Sequence, residues 1–175
     1  MDIFIIETAG ADNIEEKILL EFKKREIANS KKLKEHCFSY LMMDRILEHV
    51  YKISNRTIIF ENEKPILQSR EKHITISHSG NYAIFGISDY NCGIDIEEMT
   101  ERNFSKIAKR MNFNADTKEE FYKEWTLYEA RYKLGEEEKK EHTLMMENYC
   151  ISACSSNKKE NFEVYILTTK KFSNV

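Results

Sequence analysis

Two carboxylates alternate with two isoleucines in the hexapeptide Cys92-Gly-Ile-Asp-Ile-Glu97. On a β-strand successive side chains point to opposite faces, so Asp95 and Glu97 share one face while Ile94 and Ile96 enter a core. Two acids about 7 Å apart on one face repel each other unless a cation lies between them. Hard oxygen ligands of this kind suit magnesium, which takes a few carboxylates and leaves room for waters and phosphates. The same pattern also describes an exposed acidic strand face.

A second group of residues lies in Trp125-Thr-Leu-Tyr-Glu-Ala-Arg-Tyr-Lys133. On a helix Glu129 and Lys133 are four apart and share a face, where the acid can complete a metal site and the ammonium can meet a phosphate. As a plain surface pair the same spacing would contribute only about 0.3–0.5 kcal/mol. In Ile74-Thr-Ile-Ser-His-Ser-Gly80 a strand runs into a turn that presents Ser77, His78 and Ser79 together, and hydroxyls, imidazole and turn amides can surround a phosphate. Lys64-Pro65 sits in a turn, where the proline fixes the backbone and can present carbonyls or an amide to a flat ring.

These residues need elements to position them. Ile3 to Glu7 reads as a buried strand, and Gly10, Asp12 and Asn13 turn the chain into a helical stretch with Ile18, Leu19 and Phe22. Between Ser30 and Val50, Leu33, Cys37, Phe38, Leu41, Met42, Ile46 and Leu47 recur at three and four, one face of a long helix. Thr57–Phe60, Ile74–Ser77, Tyr82–Ser88 and Gly93–Ile96 are short β-prone runs that read as a meander. Phe104, Ile107 and Ala108 begin a helical pattern, and Thr117 to Leu134 forms a second long helix carrying Phe121, Trp125, Leu127 and Tyr132. The charged run Glu136 to His142 reads as a solvated loop, followed by strands near Tyr149–Ser155 and Phe162–Leu167. The order predicts an α+β fold of two similar halves, about 1–90 and 91–175, packed as one domain.

At 175 residues, with 41% hydrophobic and 33% charged residues and a single proline, the chain has the composition of a folded protein with an ordinary core. A net charge of -3 gives no overall field that would favour nucleic acid or an acidic membrane surface. No run approaches the roughly 20 apolar residues of a membrane helix, and the opening lacks the basic start of a signal peptide, so a cytoplasmic location is expected. Cys37, Cys92, Cys150 and Cys154 are scattered without zinc-site spacings among the histidines, and reduced thiols are expected.

In order and spacing, Glu63-Lys64-Pro65, Ser77-His78-Ser79, Gly93 to Glu97 and Trp125 to Lys133 resemble the 4′-phosphopantetheinyl transferase superfamily. That superfamily shows Gly-Lys-Pro, Ser-His, Gly-Ile-Asp-Ile-Glu and Trp-x-x-Lys-Glu-Ala-x-x-x-Lys in the same order. The agreement spans roughly residues 60–134, and the first half looks like the single-chain branch with pseudo-two-fold symmetry. The resemblance implies a holo-[acyl carrier protein] synthase activity of the kind used in fatty-acid, polyketide or peptide synthesis. Phosphopantetheine would pass from coenzyme A to a serine of an apo acyl or peptidyl carrier protein, releasing adenosine 3′,5′-bisphosphate. It implies that Asp95, Glu97 and Glu129 hold magnesium, and that Lys133 and His78 hold phosphate oxygens with Ser77 nearby. It further implies that Lys64 and Pro65 lie by the adenine and that first-half cations, Lys24 and Lys34 for preference, grip the 3′-phosphate. Glu129 or a metal-bound water would take the serine proton. With both halves in one chain, a monomer would build the whole site.

Three positions depart from the family pattern: Tyr128 stands in place of lysine, Glu63 in place of glycine and Thr75 in place of asparagine. Tyr128 removes a cation from the edge of the site, and Glu63 puts an acid near an anionic ligand. Two other readings compete: a module that binds coenzyme A or a carrier without transfer, and a magnesium-dependent hydrolase of nucleotide pyrophosphates.

Overall fold

The structure is a computed structural model that describes residues 1–8, 30–62, 64–135 and 139–167, with the backbone alone for residues 30–33. The expected helical stretch around Ile18, Leu19 and Phe22, together with Lys24 and Glu63, lies outside the described residues.

The run Asp2–Glu7 forms β1, and it is apolar in both registers because both faces are covered. Phe4 and Ile6 join one core cluster and Ile3 and Ile5 another. Helix α1 (Ser30–His49) lays Phe38, Met42, Ile46 and Leu47 on the first of these faces, the stripe that the three-and-four spacing predicts. A hairpin follows, β2 (Ile58–Glu61) and β3 (Lys64–Leu67), paired with Phe60 opposite Pro65 and Glu61 opposite Lys64. Lys64-Pro65 is therefore on a strand rather than in a turn. A two-stranded ribbon has only edge strands, so a proline without an amide hydrogen is tolerated there.

Strands β4 (His73–Ser79) and β5 (Tyr82–Ser88) form a second hairpin that turns at Gly80, whose φ of +55° suits a residue without Cβ. These two join β1 and β9 (Glu163–Leu167) in a four-stranded sheet ordered β4-β5-β1-β9. The expected meander ends there, because β6 (Cys92–Glu98) leaves for a separate sheet ordered β6-β8-β7. The other members of that sheet are β7 (Lys140–Met146) and β8 (Tyr149–Ser155). The last strand also crosses back: β9 pairs in parallel with β1, so the sheets do not divide at residue 90.

Ile3, Ile5 and Ile84 of the larger sheet pack on Ile94, Ile96, Ile151 and Ala153 of the smaller one. Helix α2 (Phe104–Met111) and helix α3 (Lys118–Leu134) cover the far face of the smaller sheet, where Phe121 and Tyr122 meet Cys150, and Ala130 and Leu134 meet Cys154. The layers thus run helix, sheet, sheet, helix. No helix among the described residues is long and apolar enough to cross a membrane. Cys92, Cys150 and Cys154 are buried thiols, and burial pushes Cys92 and Cys154 up to about 12.

The charged run after Gly135 differs from its sequence reading, since Lys140 to His142 open β7 instead of lying in a loop. Glu141 can enter a strand because Arg131 of α3 grips both of its oxygens at 2.7 Å, and this pairing holds its carboxyl below the ordinary glutamate range.

Helix α3 is fixed at both ends. Thr117 Oγ1 accepts from Glu120 N at 3.2 Å and the Glu120 carboxylate accepts from Thr117 N at 3.0 Å, a capping box, while Gly135 closes the other end at φ +75°. Its distance from β6 is set by Gly93: a Cβ there would lie 2.0 Å from the Ala130 carbonyl oxygen and 2.8 Å from the Leu134 nitrogen. Both obstacles are backbone, so neither can rotate away. Gly93→Ala is expected to lower the unfolding free energy by about 3 kcal/mol, the upper end for overpacking, measured by urea denaturation.

Candidate active site

Strand alternation puts Asp95 and Glu97 on the face of β6 that looks toward α3, as expected, with Ile94 and Ile96 in the core behind them. Asp95 is only 5% exposed. Lys133 Nζ donates to Asp95 Oδ1 at 2.8 Å and to the Ile94 carbonyl at 2.9 Å. Ser77 Oγ donates to the same Oδ1 at 2.7 Å, while Asp95 Oδ2 is buried without a hydrogen-bond partner. Glu97 is held from two sides, by Ser79 Oγ at 3.2 Å and by Trp125 Nε1 at 3.3 Å.

The serine bonds correct one expectation. Because β4 continues through Ser79, its alternation separates the three residues of Ser77-His78-Ser79 that the sequence presents together. Ser77 and Ser79 turn to the carboxylates of β6, whereas His78 is exposed on the other side of the strand, its ring 6.2 Å from that of His36 on α1.

Glu129 of α3 is half-buried, and its carboxyl is pushed above the ordinary glutamate range. Burial is the main cause, followed by the negative charge of Asp95; Lys133 opposes the shift and Glu97 adds to it. The three acids therefore feel one another, although among the described residues no three His, Cys, Asp or Glu side chains are gathered closely enough to hold an ion. A set of three carboxylates, one with an unpartnered buried oxygen, matches magnesium in ligand chemistry.

Glu129 and Lys133 also face a cavity of about 630 Å³ between α1, the β2–β3 hairpin, β4 and α3. Lys64, Pro65, Arg70, Lys72 and His73 line it from the first half of the chain, with Tyr40, Phe60 and Tyr132 as aromatic walls. Residues 64 and 133, far apart in sequence, thus share one chamber. Lys34 is half-buried on α1 and does not line the cavity; Lys24 is outside the described residues. Sequence reasoning missed Arg70, Lys72 and Tyr132. Tyr132 is 72% exposed and not part of an apolar stripe, a placement that its position beside Lys133 on a face opposite Ala130 would have revealed.

The chamber has four cations, one acid and aromatic walls, with the buried Asp95 behind Lys133, a lining that offers donors to an anion and faces to a ring. The chain is similar to the 4′-phosphopantetheinyl transferase psf-1 of Bacillus pumilus, 28% identical over 161 residues, an alignment covering 77% of this chain and 68% of that protein. No family model matches the chain.

The shift of Glu129 has a consequence for stability. A carboxyl raised on folding binds its proton more tightly in the folded than in the unfolded chain, so stability falls as pH rises from the ordinary value of 4.5 through the folded value. Glu129→Gln removes this loss. The variant is expected to melt higher than the wild type at pH 7.5, with the difference closing as the pH is lowered toward 4.5, in thermal melts followed by circular dichroism.

Proposed function

We propose that this chain is a magnesium-dependent 4′-phosphopantetheinyl transferase that modifies a serine of an apo acyl or peptidyl carrier protein with coenzyme A as donor. The observation that carries this reading is the shared chamber. Lys64 and Pro65 of the hairpin line it together with Glu129 and Lys133 of α3, and Lys133 is bonded to Asp95. Two of the four sequence elements that resemble the transferases thereby line one chamber, and a third, Gly93 to Glu97, joins them through the Lys133–Asp95 bond. The fourth, Ser77-His78-Ser79, abuts it through the Ser77–Asp95 bond. The likeness to the Bacillus pumilus transferase supports the same activity.

In this reading Asp95, Glu97 and Glu129 hold the magnesium ion, which when bound neutralises charge on the diphosphate of coenzyme A. Lys133, Lys64 and the cations Arg70 and Lys72 offer donors to the phosphates, and Tyr132, Tyr40 and Phe60 offer ring faces to the adenine. Glu129, or a water that the ion would hold, is the general base for the carrier serine. Positioning and charge stabilisation supply most of the catalysis in such an in-line displacement.

The carrier approaches over α2, where Lys106, Lys109 and Arg110 are exposed beside half-buried Ile107 and Phe113 and exposed Tyr128. Cations around an apolar patch suit an acidic carrier helix. In the same reading the halves, about 1–90 and 91–175, correspond by a pseudo-two-fold relation of helix on sheet, with the last strand exchanged onto β1, and the protein acts as a cytoplasmic monomer.

A second reading is a module that binds coenzyme A or a carrier without transferring the arm. It is favoured by Tyr128, a 42% exposed phenol where the resemblance has a lysine. Incubation with coenzyme A, magnesium and apo carrier protein, followed by mass spectrometry of the carrier, separates the two. Transfer adds the mass of one phosphopantetheine; carriers of several kinds left unchanged while coenzyme A binds would establish the module. Asp95→Asn, which keeps the shape of the side chain, is expected to slow transfer at least about 100-fold, the scale of losing a main electrostatic contact, with circular dichroism at the assay temperature confirming that the variant is folded.

A further inference from the structure

The acidic site already contains a cation, and it belongs to the protein. The Lys133 ammonium sits 2.8 Å from Asp95 Oδ1 and 2.9 Å from the Ile94 carbonyl, so it is tied to β6 by two bonds. With Ser77 also on Oδ1, that oxygen is saturated, while Oδ2 is buried and unpartnered. Around this ammonium the acids stand apart: among the described residues no three of them form an ion-binding cluster. Lys133 also lines the chamber, on a flexible four-carbon stem, beside Lys64, Arg70 and Lys72.

We infer that Lys133 is a built-in counter-ion that occupies the acidic site in its metal-free form and leaves Asp95 when an anionic ligand in the chamber draws it away. This rests on the magnesium reading of Asp95, Glu97 and Glu129. A divalent ion and an ammonium on the same carboxylate repel each other, so the ion binds weakly while Lys133 is in place. A phosphate-bearing ligand gives the ammonium another partner and frees the carboxylate. The ion and the ligand then tighten each other by the same factor, as linkage requires. Lys133 is in this respect a positioning residue that sets the order of assembly, and it prevents a buried Asp95 from standing uncompensated in the resting protein.

The test is calorimetric titration of Mn²⁺ and Mg²⁺ into metal-free wild type, Lys133→Met, Lys133→Arg and Asp95→Asn, each with and without coenzyme A, with circular dichroism to confirm folding. Lys133→Met is expected to bind the ion without coenzyme A at least tenfold more tightly than wild type. Lys133→Arg, which keeps the charge, is expected to behave as wild type. Lys133→Gln gives the same comparison should Lys133→Met not fold. Equal affinity of wild type and Lys133→Met for the ion alone, lost in Asp95→Asn, would overturn the counter-ion role and leave the metal site standing. Absence of ion binding in all variants, with and without coenzyme A, overturns the metal reading and the counter-ion role together.

Discussion

A carboxylate that is 5% exposed must have a partner of opposite charge or donors on its lone pairs, and Asp95 sets that requirement for the whole molecule. Its donors come from two other elements: Ser77 from the edge of the larger sheet and Lys133 from the helix behind the smaller one. Each donor is delivered only if its element sits at the right distance. Gly93 lets α3 approach to backbone contact, and the capping box and Gly135 fix which residues of the helix face β6. Strand β4 packs beside β6, so that Ser77 and Ser79 reach Asp95 and Glu97 in parallel. One buried charge thus links both sheets and a helix that the sequence separates by tens of residues.

This geometry also explains why β6 is polar on one side and apolar on the other. Strand β6 alternates, so the same backbone that sends Ile94 and Ile96 into the inter-sheet core sends Asp95 and Glu97 toward α3. On β8, opposite Asp95, Ser152 continues the polar side, sharing hydrogen bonds with Thr126 at 2.7 Å and Thr143 at 2.9 Å. Buried hydroxyls of this kind must all be satisfied, and a satisfied chain of them adds rigidity directly beneath the acids. The floor of the site is therefore stiff, while the parts that face the chamber, Lys133 and the exposed Lys64, lie on long flexible stems.

Periodicity made much of this legible. The stripe of α1, the alternation in β6 and the four-residue spacing of Glu129 and Lys133 are local patterns, and local geometry turns them into faces without tertiary information. Strand partners were not local. Nothing in Cys92 to Glu98 says that it leaves the neighbouring hairpin for another sheet, or that residues 163–167 return to β1, because hydrogen bonding between strands is indifferent to sequence distance. The strand at Lys140–His142 was hidden for an electrostatic reason: its acid is neutralised by Arg131, which precedes it in a different element. Ser77-His78-Ser79 was misplaced by a boundary error of two residues, enough to move the imidazole to the opposite face.

The spacing of Glu129 and Lys133 carries more than a shared face. Four residues on one helix place an acid and an ammonium where both reach the chamber, yet only the ammonium reaches Asp95. The acid is left with a neighbouring negative charge and partial burial, which together raise its proton affinity. On the counter-ion reading, moving the ammonium off Asp95 would change the field on Asp95, Glu97 and Glu129 together. A single helical turn thus connects the cationic wall of the chamber to the acids of β6.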